Sequence, residues 1–317
     1  MVPPTPIPVG ATALRPVWTD LPGQVRAEIE TLAGGTVIEA RSQGSGFTPG
    51  FASRLVLADG RRLFVKAAGS AYPWMIEAYQ AEVAKLRLLP AAVPAPSVIF
   101  DRRFQVDGED WLIAGFVDID GRPPLRPWRE DEAAAVLRCA TELGRALTPP
   151  PTGADWLGLE VEFARNADDW AMIAEQDLLP ADLIEPGAEL ARDFLARLPR
   201  TTLVHCDLRD DNVIIGSDGR VNVCDWNFPV LGPIWTDTVT LAISMHGDGL
   251  NAERLLAETG AIDDDALVDG FLAMLLGYFT IAGSRPEVDN SPYLRAHQRW
   301  YADATADWLR RRVLRTY

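Results

Sequence analysis

The chain of 317 residues has little of several features that identify particular protein classes. Its three cysteines, Cys139, Cys206 and Cys224, are too few for a disulfide framework, and no CxxC pair indicates zinc. The start, "MVPPTPIPVG", has neither a basic region nor an apolar core, so no secretory signal is predicted and a cytoplasmic location is expected. Basic residues are outnumbered, and the net charge of −15 argues against nucleic-acid binding while suiting a cationic ligand.

Lysine is the scarcest charged residue. The chain has 28 arginines but only two lysines, Lys66 and Lys85. Because arginine fills most positive positions, a remaining lysine is expected where a compact ammonium is needed instead of a planar guanidinium. Lys66 is therefore a candidate functional residue before any motif is considered.

Long apolar runs are also few. The run "ALVDGFLAMLLGYFTIAG" at 266–283 is slightly short for a membrane span and contains Asp269. We predict that it is a buried helix of a helical lobe and that the protein has no membrane partner.

The first third of the chain has the pattern of an antiparallel sheet. Residues 1–19 are rich in proline and are predicted to be irregular, and a helix is expected over 20–35. Asp59-Gly60 is a strong hairpin turn. A helix is predicted from about Tyr72 to Leu89. Strands are predicted at 36–43, 51–58, 61–68, 96–100 and 110–117.

The remainder is predicted to be mostly helical, which gives an α+β protein with lobes at 1–117 and 118–317. A long helix with an acidic start is expected at 129–147. Residues 155–193 contain eleven acidic and two basic residues. Two apolar segments enclose the polar run of "LVHCDLRDDNVII", and "VNVCDW" follows the turn "GSDGR". A closing helix is expected at 291–313, with Ser291 as its cap.

The polar run predicts a catalytic loop. Asp207 and Asn212 lie five residues apart, and the hairpin through "GSDGR" returns Asp225 to their neighbourhood. Carboxylate and amide oxygens suit Mg²⁺, which keeps several waters and binds substrate phosphates. Phosphoryl transfer needs such ligands, together with a carboxylate that orients the attacking hydroxyl and a lysine for the phosphates.

"HCDLRDDN" and "VCDWN" resemble the HxDxxxxN loop and the Asp-Trp strand end of the aminoglycoside phosphotransferase and choline kinase-like family. The resemblance covers roughly residues 30–310 and implies a two-lobed protein-kinase-like fold: an antiparallel five-stranded N-lobe with one helix and a mainly helical C-lobe. It implies a nucleoside triphosphate, ATP or possibly GTP, and Mg²⁺. No GxxxxGK[ST] motif is present, so a P-loop fold is set aside.

The resemblance assigns roles at matching positions. Asp207 would be the catalytic base, and Asn212 and Asp225 would bind the metal. Lys66 would hold the α- and β-phosphates and pair with Glu82 of the following helix, with Glu77 as the alternative. The resemblance also implies that His205 and Asp237 support the loop. It further implies that Ser45 and the connector Gly115-Phe116-Val117 contact the nucleotide.

Three departures from the family pattern bear on these roles. Cys206 stands where glycine is common, and Arg209 stands where histidine is common. We hypothesise that Arg209 neutralises the transferring phosphate. The loop "QGSGFTPGFAS" is not a faithful GxGxxG, which weakens the inferred contact of its backbone amides with phosphate. Asp210 and Asp211 are expected to be solvated or to adjust the loop.

The acceptor is predicted to be a small molecule with a hydroxyl group. An aminoglycoside-type antibiotic fits the acidity, while choline, an amino sugar or homoserine stays open. Acceptor contacts are expected from some of Asp155, Glu160, Glu162, Asp168 and Asp169. A pseudokinase is a weaker alternative. A protein kinase is disfavoured because only eleven residues separate Asp225 from Asp237. The protein could be a monomer or a homodimer.

Overall fold

The computed structural model describes residues 2–8, 10–164 and 168–313. Its first third contains α1 (Gly23–Ala33), α2 (Pro73–Leu86) and five strands: β1 (Val37–Ser42), β2 (Phe51–Leu57), β3 (Arg62–Gly69), β4 (Val98–Val106) and β5 (Glu109–Val117). The later strands are β6 (Gly121–Arg122), β7 (Thr202–Val204), β8 (Val213–Gly216), β9 (Val221–Val223) and β10 (Val230–Gly232). The later helices are α3 (Glu130–Ala146), α4 (Leu159–Glu162), α5 (Asp169–Glu175), α6 (Ala181–Arg197), α7 (Thr236–Gly247), α8 (Ala252–Thr259), α9 (Asp265–Ser284) and α10 (Leu294–Val313).

The five-stranded sheet has the order β1-β2-β3-β5-β4, and every neighbouring pair is antiparallel. The predicted hairpin turn joins β2 to β3, with Gly60 at φ 86°, where a side chain would be strained. Strand β4 continues to Val106, six residues beyond the predicted end, because it pairs with the whole of β5. The predicted fold class is confirmed.

Helix α2 packs on this sheet, and its position matters for the site. It begins at Pro73, a residue suited to the first turn of a helix. Met75, Tyr79 and Val83 are buried at helical spacing, as predicted, and Glu82 is buried on the same helix. A buried carboxylate among apolar neighbours requires a partner, and the partner comes from β3.

The helical lobe is built around α9. Most of this helix is buried against α6 and α10, and its apolar length alone would allow it to cross a membrane. In the folded chain 78% of the apolar stretch of this helix is buried, which agrees with the predicted core helix. Helix α10 begins at Leu294, and the Ser291 side chain does not cap it. Ser291 Oγ instead donates to the carbonyl of Phe47, so the predicted cap is wrong.

Two small sheets carry the polar run of the predicted catalytic loop. Strand β7 precedes the loop and pairs with β10, whereas β8 follows it and pairs with β9 and β6. The apolar flanks are therefore strands, as predicted, but they belong to different sheets. The loop is anchored at both ends to separate parts of the core.

The N-terminal residues contact both the helical lobe and the five-stranded sheet. Residues 2–8 and 10–17 form no helix, as predicted, but they are well attached. Trp300 of α10 donates from Nε1 to the carbonyl of Pro3. The backbone amides of Thr12 and Ala13 donate to the carbonyl of Gly44, which lies between β1 and β2. We call residues 2–8 and 10–16 the N-terminal strap, since they connect the helical lobe to the sheet.

Candidate active site

A cleft of about 970 Å³, its open mouth included, lies between the five-stranded sheet and the helical lobe. Six of the predicted site residues line it: Ser45, Lys66, Glu82, Val117, Asn212 and Asp225. Gly115 does not. Its Cα faces the ring of Phe100, so the predicted nucleotide contact at Gly115 is not supported by its position, and Phe116 and Val117 line the cleft there instead.

Lys66 is the centre of the cleft's charge arrangement. Its Nζ lies 2.8 and 2.7 Å from the two carboxylate oxygens of Glu82 and 2.8 Å from Oδ1 of Asp225. The other candidate, Glu77, is exposed and pairs with Arg103. The lysine of β3, the glutamate of α2 and the aspartate after β9 therefore meet at one point, and the pairing of Lys66 with Glu82 is the one that the resemblance implies.

Burial and charge act in opposite directions on this group. Burial tends to lower the pKa of Lys66, but the carboxylates of Asp225 and Glu82 outweigh it and raise the pKa above its usual value. Burial raises the pKa of Glu82 despite the nearby ammonium. For Asp225 burial is outweighed by Lys66, so its pKa is lowered. Lys66 is thus charged, and Asp225 is ionised at the cleft surface.

Asp237 holds the backbone at the start of the predicted catalytic loop. Its carboxylate accepts hydrogen bonds from the backbone amides of His205 (2.8 Å) and Cys206 (3.0 Å). His205 Nε2 lies 3.0 Å from the carbonyl of Cys224, and burial lowers the pKa of His205. These contacts connect β7, the strand end after β9 and α7, which is the supporting arrangement that the sequence predicted.

Two residues of the site adopt the left-handed conformation: Cys206 at φ 68° and Asp225 at φ 67°. This conformation favours glycine, which explains why glycine is common at the position of Cys206. Cys206 is partly buried, and burial raises the pKa of its thiol well above the usual value. Strained backbone of this kind is concentrated at functional sites.

Asp207 projects from the loop with 29% of its side chain exposed. Arg209 Nη1 donates to its Oδ1, and the Asn212 amide donates to its backbone carbonyl (2.8 Å) and to Oδ2 (3.3 Å). Burial raises the pKa of Asp207 to about 6, although Arg209 opposes the shift. A carboxylate with such a pKa is ionised at neutral pH and still basic enough to accept a proton.

Asp210 and Asp211 keep 19% and 18% of their side chains exposed, and both are paired with arginines, so the expectation that they adjust the loop fits better than full solvation. Asp211 pairs with Arg209 at 3.0 Å, and Asp210 pairs with Arg126 at 2.9 Å. Arg126 also binds Asp248 through two nitrogens, at 2.6 and 3.0 Å. No sequence pattern indicates a role for Arg126, because its partners lie 84 and 122 residues away.

The family model of the phosphotransferase enzyme family matches residues 45–271, more than half of the chain. The chain belongs to this family. As a member of this family, the protein is a phosphotransferase enzyme. No curated protein sequence matches it significantly.

Solved structures share the fold of this phosphotransferase. The amicoumacin kinase hAmiN, in complex with AMP-PNP, Ca²⁺ and Ami, superposes with a TM-score of 0.60 at 11% identity, covering 91% of this chain and 95% of that one. A thermostable mutant of the aminoglycoside phosphotransferase APH(4)-Ia gives 0.59 at 16% identity, with 91% and 99% covered. The choline kinase LicA from Streptococcus pneumoniae gives 0.53 at 14% identity, with 90% and 98% covered. The two-lobed kinase-like fold is thereby established.

The phosphotransferase offers oxygen ligands that fit a divalent cation. The Asn212 Nδ2 faces the carbonyl and carboxylate of Asp207, which turns the amide oxygen away from them. Asp225 uses Oδ1 for its bonds to Lys66 and Asn227, and Oδ2 accepts none of the hydrogen bonds found in the described part of the chain. Among those residues no group of three or more His, Cys, Asp or Glu could hold a metal, so a cation would need phosphate oxygens and water as further ligands.

The glycine-containing loop between β1 and β2 bends onto the helical lobe. Phe47 at its tip lies 4.7 Å from the ring of His297 and beneath the guanidinium of Arg209, at 5.7 Å. Arg15 of the strap donates to the carbonyl of Ser45 at 2.8 Å. Neither Phe47 nor Arg15 was predicted, because a proline-rich segment and an irregular loop have no periodicity that indicates their contacts.

The acidic segment does not form one continuous face. Asp155, Glu162 and Asp168 are exposed, and Glu160 pairs with Arg200 at 2.6 Å. Asp169 differs because only 6% of it is exposed, and burial raises its pKa to about 6. The five predicted acceptor residues are therefore in different environments, and a shared role is not supported.

Two of these residues each interact with a nearby cation. Burial lowers the pKa of Lys85, and the negative charge of Glu162 opposes this shift. Lys85 Nζ also donates to the carbonyl of Asn227, two residues after Asp225. The positive charge of Arg285 opposes the raised pKa of Asp169. Glu162 and Asp169 remain candidates for the acceptor side.

Proposed function

We propose that this protein transfers the γ-phosphoryl group of ATP, or of GTP, to a hydroxyl of a small molecule in a Mg²⁺-dependent reaction. The observation that supports this best is the meeting of Lys66, Glu82 and Asp225 in the cleft. A lysine held by a buried carboxylate is pre-positioned for phosphate, and the adjacent aspartate offers an oxygen to the metal.

Asp207 is the proposed base. The acceptor oxygen forms a bond to the γ-phosphorus while the bond from that phosphorus to the β,γ-bridging oxygen breaks, and the hydroxyl proton moves to the Asp207 carboxylate. Asn212 and Asp225 would hold Mg²⁺, which supplies neutralisation of phosphate charge when bound. Asp237 keeps the loop at its position through two backbone bonds.

Arg209 is the proposed partner of the transferring phosphate. In the structure its guanidinium is shared between Asp207 and Asp211. The Asp211 contacts fix Nε and Nη2, at 3.0 and 3.1 Å, and this keeps the group beside the base. A guanidinium has five N–H donors, so Arg209 retains donors for a phosphate oxygen.

The acceptor that we propose is a hydroxylated cation such as an aminoglycoside-type antibiotic. Support comes from Glu162 and Asp169 and from the chain's net charge of −15. Tyr278 lies between Glu162 and the proposed base. Burial raises the pKa of Tyr278 and the charge of Asp207 adds to the shift, while its ring centroid is 5.8 Å from that of Phe163, the residue after Glu162. Arg285 lies near Asp169 and favours an acceptor that also has a polar or anionic group, so a metabolic amino alcohol or amino sugar is the second candidate.

The decisive experiment measures nucleotide turnover with Mg²⁺ against a panel of aminoglycosides, other hydroxylated antibiotics, amino alcohols and amino sugars. We expect one class to be phosphorylated, and Asp207→Ala to reduce kcat by about 10²- to 10⁴-fold, the usual effect of losing a general base. Asp207→Ala should still bind nucleotide, which isothermal titration calorimetry would check.

Two results would contradict the proposal. Wild-type turnover in Asp207→Ala would remove the assigned base. Tight binding of nucleotide without turnover of any acceptor would favour a protein that holds nucleotide without catalysis.

A further inference from the structure

Three cations line the cleft, and their pairing differs. Lys66 is held between Glu82 and Asp225, and Arg54 pairs with Asp118, with 3.2 Å between Nε and Oδ1. Within residues 2–8, 10–164 and 168–313, Arg15 has no carboxylate partner within 4.0 Å. Among the described residues, no ion pair therefore offsets its charge in the cleft.

The contacts of Arg15 leave part of its guanidinium unused. Nη2 donates to the Ser45 carbonyl at 2.8 Å and Nη1 to the Gly50 carbonyl at 3.2 Å. Nε is buried and has no hydrogen-bond partner among the described residues. Because a guanidinium has five N–H donors, three are left, and a buried donor without an acceptor is costly.

The strap holds Arg15 in place from both sides. Thr12 Oγ1 donates to the carbonyls of Gly44 and Gly46, so the strap follows the loop between β1 and β2. The amide of Leu14 donates to Asn290 at 2.9 Å, in the segment before α10. Arg15 is thus fixed over the cleft by neighbours on each side.

The electrostatic setting of Arg15 is that of the phosphate end of the cleft. Arg15 lines the same cleft as Lys66 and Asp225, the proposed metal ligand. The adjoining loop "GSGFTPG" contains Pro49, which has no backbone N–H to give to a phosphate. A side-chain cation would replace such a donor.

We propose that Arg15 is a phosphate-binding residue of the nucleotide site, donating to an oxygen of the β- or γ-phosphate through its unused N–H groups. This inference rests on the proposed function, since it needs a nucleoside triphosphate in the cleft. Guanidinium groups bind phosphate by charge-assisted hydrogen bonds with well-defined directions. The N-terminal strap would then be a part of the nucleotide site and not merely a connection between the lobes.

Isothermal titration calorimetry with adenosine, MgADP and MgATP tests this inference. For Arg15→Gln we expect MgATP affinity to fall on the order of tenfold to a hundredfold, the effect of losing a charge-assisted contact, with adenosine affinity nearly unchanged. Arg15→Lys keeps the charge and should recover part of the loss. The loss should also shrink at high salt, where the charge of Arg15 is screened.

Two matched variants separate binding from support of the loop. Thr12→Val removes the strap's hydroxyl bonds to Gly44 and Gly46 but keeps Arg15. Arg54→Gln removes an equal charge from the same cleft, but one already paired with Asp118. Both should lower MgATP affinity much less than Arg15→Gln.

Other outcomes would overturn the inference. An equal loss for adenosine and MgATP in Arg15→Gln would show that Arg15 only holds the loop. An unchanged MgATP affinity would show that it touches no phosphate. Wild-type protein that binds no MgATP at all would instead reject the proposed function, and this inference with it.

Discussion

Two clusters in this phosphotransferase have the same composition, one cation between two carboxylates, but differ in exposure. In the first, Lys66 lies between Glu82 and Asp225, and Asp225 keeps 34% of its side chain exposed to the cleft. In the second, Arg126 lies between Asp210 and Asp248, and the most exposed member, Asp210, keeps 19% of its side chain exposed. The first is more open to a ligand than the second, and we call them the open and the closed cluster.

This difference indicates separate tasks. Charges that face the cleft can exchange partners when phosphate and metal arrive, so the Lys66 cluster suits binding and catalysis. The Arg126 cluster has little access to solvent, and its bonds fix the short 3₁₀ turn at Asp210–Asn212. Arg126 therefore holds the turn that carries Asn212, the proposed metal ligand.

The largest effect on activity is expected at the open cluster. Lys66→Met removes one pre-positioned donor and should lower kcat/KM on the order of 10²- to 10³-fold in a coupled nucleotide assay. Stability should fall less than at the closed cluster, because Asp225 is partly hydrated and Glu82, whose pKa is already raised, can take up a proton.

Lys85→Met is the matched control for that variant, since Lys85 is the second lysine and does not line the cleft. It should lower activity much less. Equal losses in the two variants would contradict the assigned role of Lys66.

The closed cluster should show its effect in stability. Arg126→Met leaves Asp210 and Asp248 buried without their cation, and breaking such a pair costs about 3–5 kcal/mol of unfolding free energy. Urea denaturation would measure this loss. Arg129→Met, which removes an exposed pair with Asp131, should change stability little. If the two variants unfold at the same urea concentration, the distinction between the clusters fails.

A smaller and graded effect is expected from pH at Asp207, which lies between the clusters. Its pKa is raised to about 6 by burial, and catalysis needs the ionised form. Below about pH 6 kcat/KM should therefore fall roughly tenfold per pH unit, and above it the rate should be level.

The same shift has the opposite sign for stability. A carboxyl whose pKa is raised on folding stabilises the fold at low pH and loses that contribution as pH rises through about 6. Asp207→Asn should thus be more stable than wild type at neutral pH, by thermal denaturation, and inactive. A pH profile of kcat/KM that stays level down to pH 4 would contradict the assignment of Asp207.

Sequence reasoning succeeded where a feature depends on neighbouring residues or fixed spacings. The five strands and α2 follow from local hydrophobic patterns, and the Lys66–Glu82 contact is the one that the family resemblance implies. Sequence reasoning could not show that Gly115 faces Phe100, because this closeness depends on the pairing of β4 with β5. It left two alternatives open for Asp210, and only the folded chain supplies the partner, Arg126.

The sequence by itself determined the fold class and, through the family resemblance, the catalytic loop and the roles of Lys66, Glu82 and Asp225, since the motifs that carry them are local. The meeting of Lys66 with Asp225 spans 159 residues and needs the folded chain. Only the tertiary structure decided which charges are closed off and which are free to bind. Arg126 meets Asp248 across 122 residues, and Arg15 reaches the Ser45 loop from an irregular strap. Contacts of this kind have no periodicity along the chain, because they arise when distant segments are brought together by packing of the core.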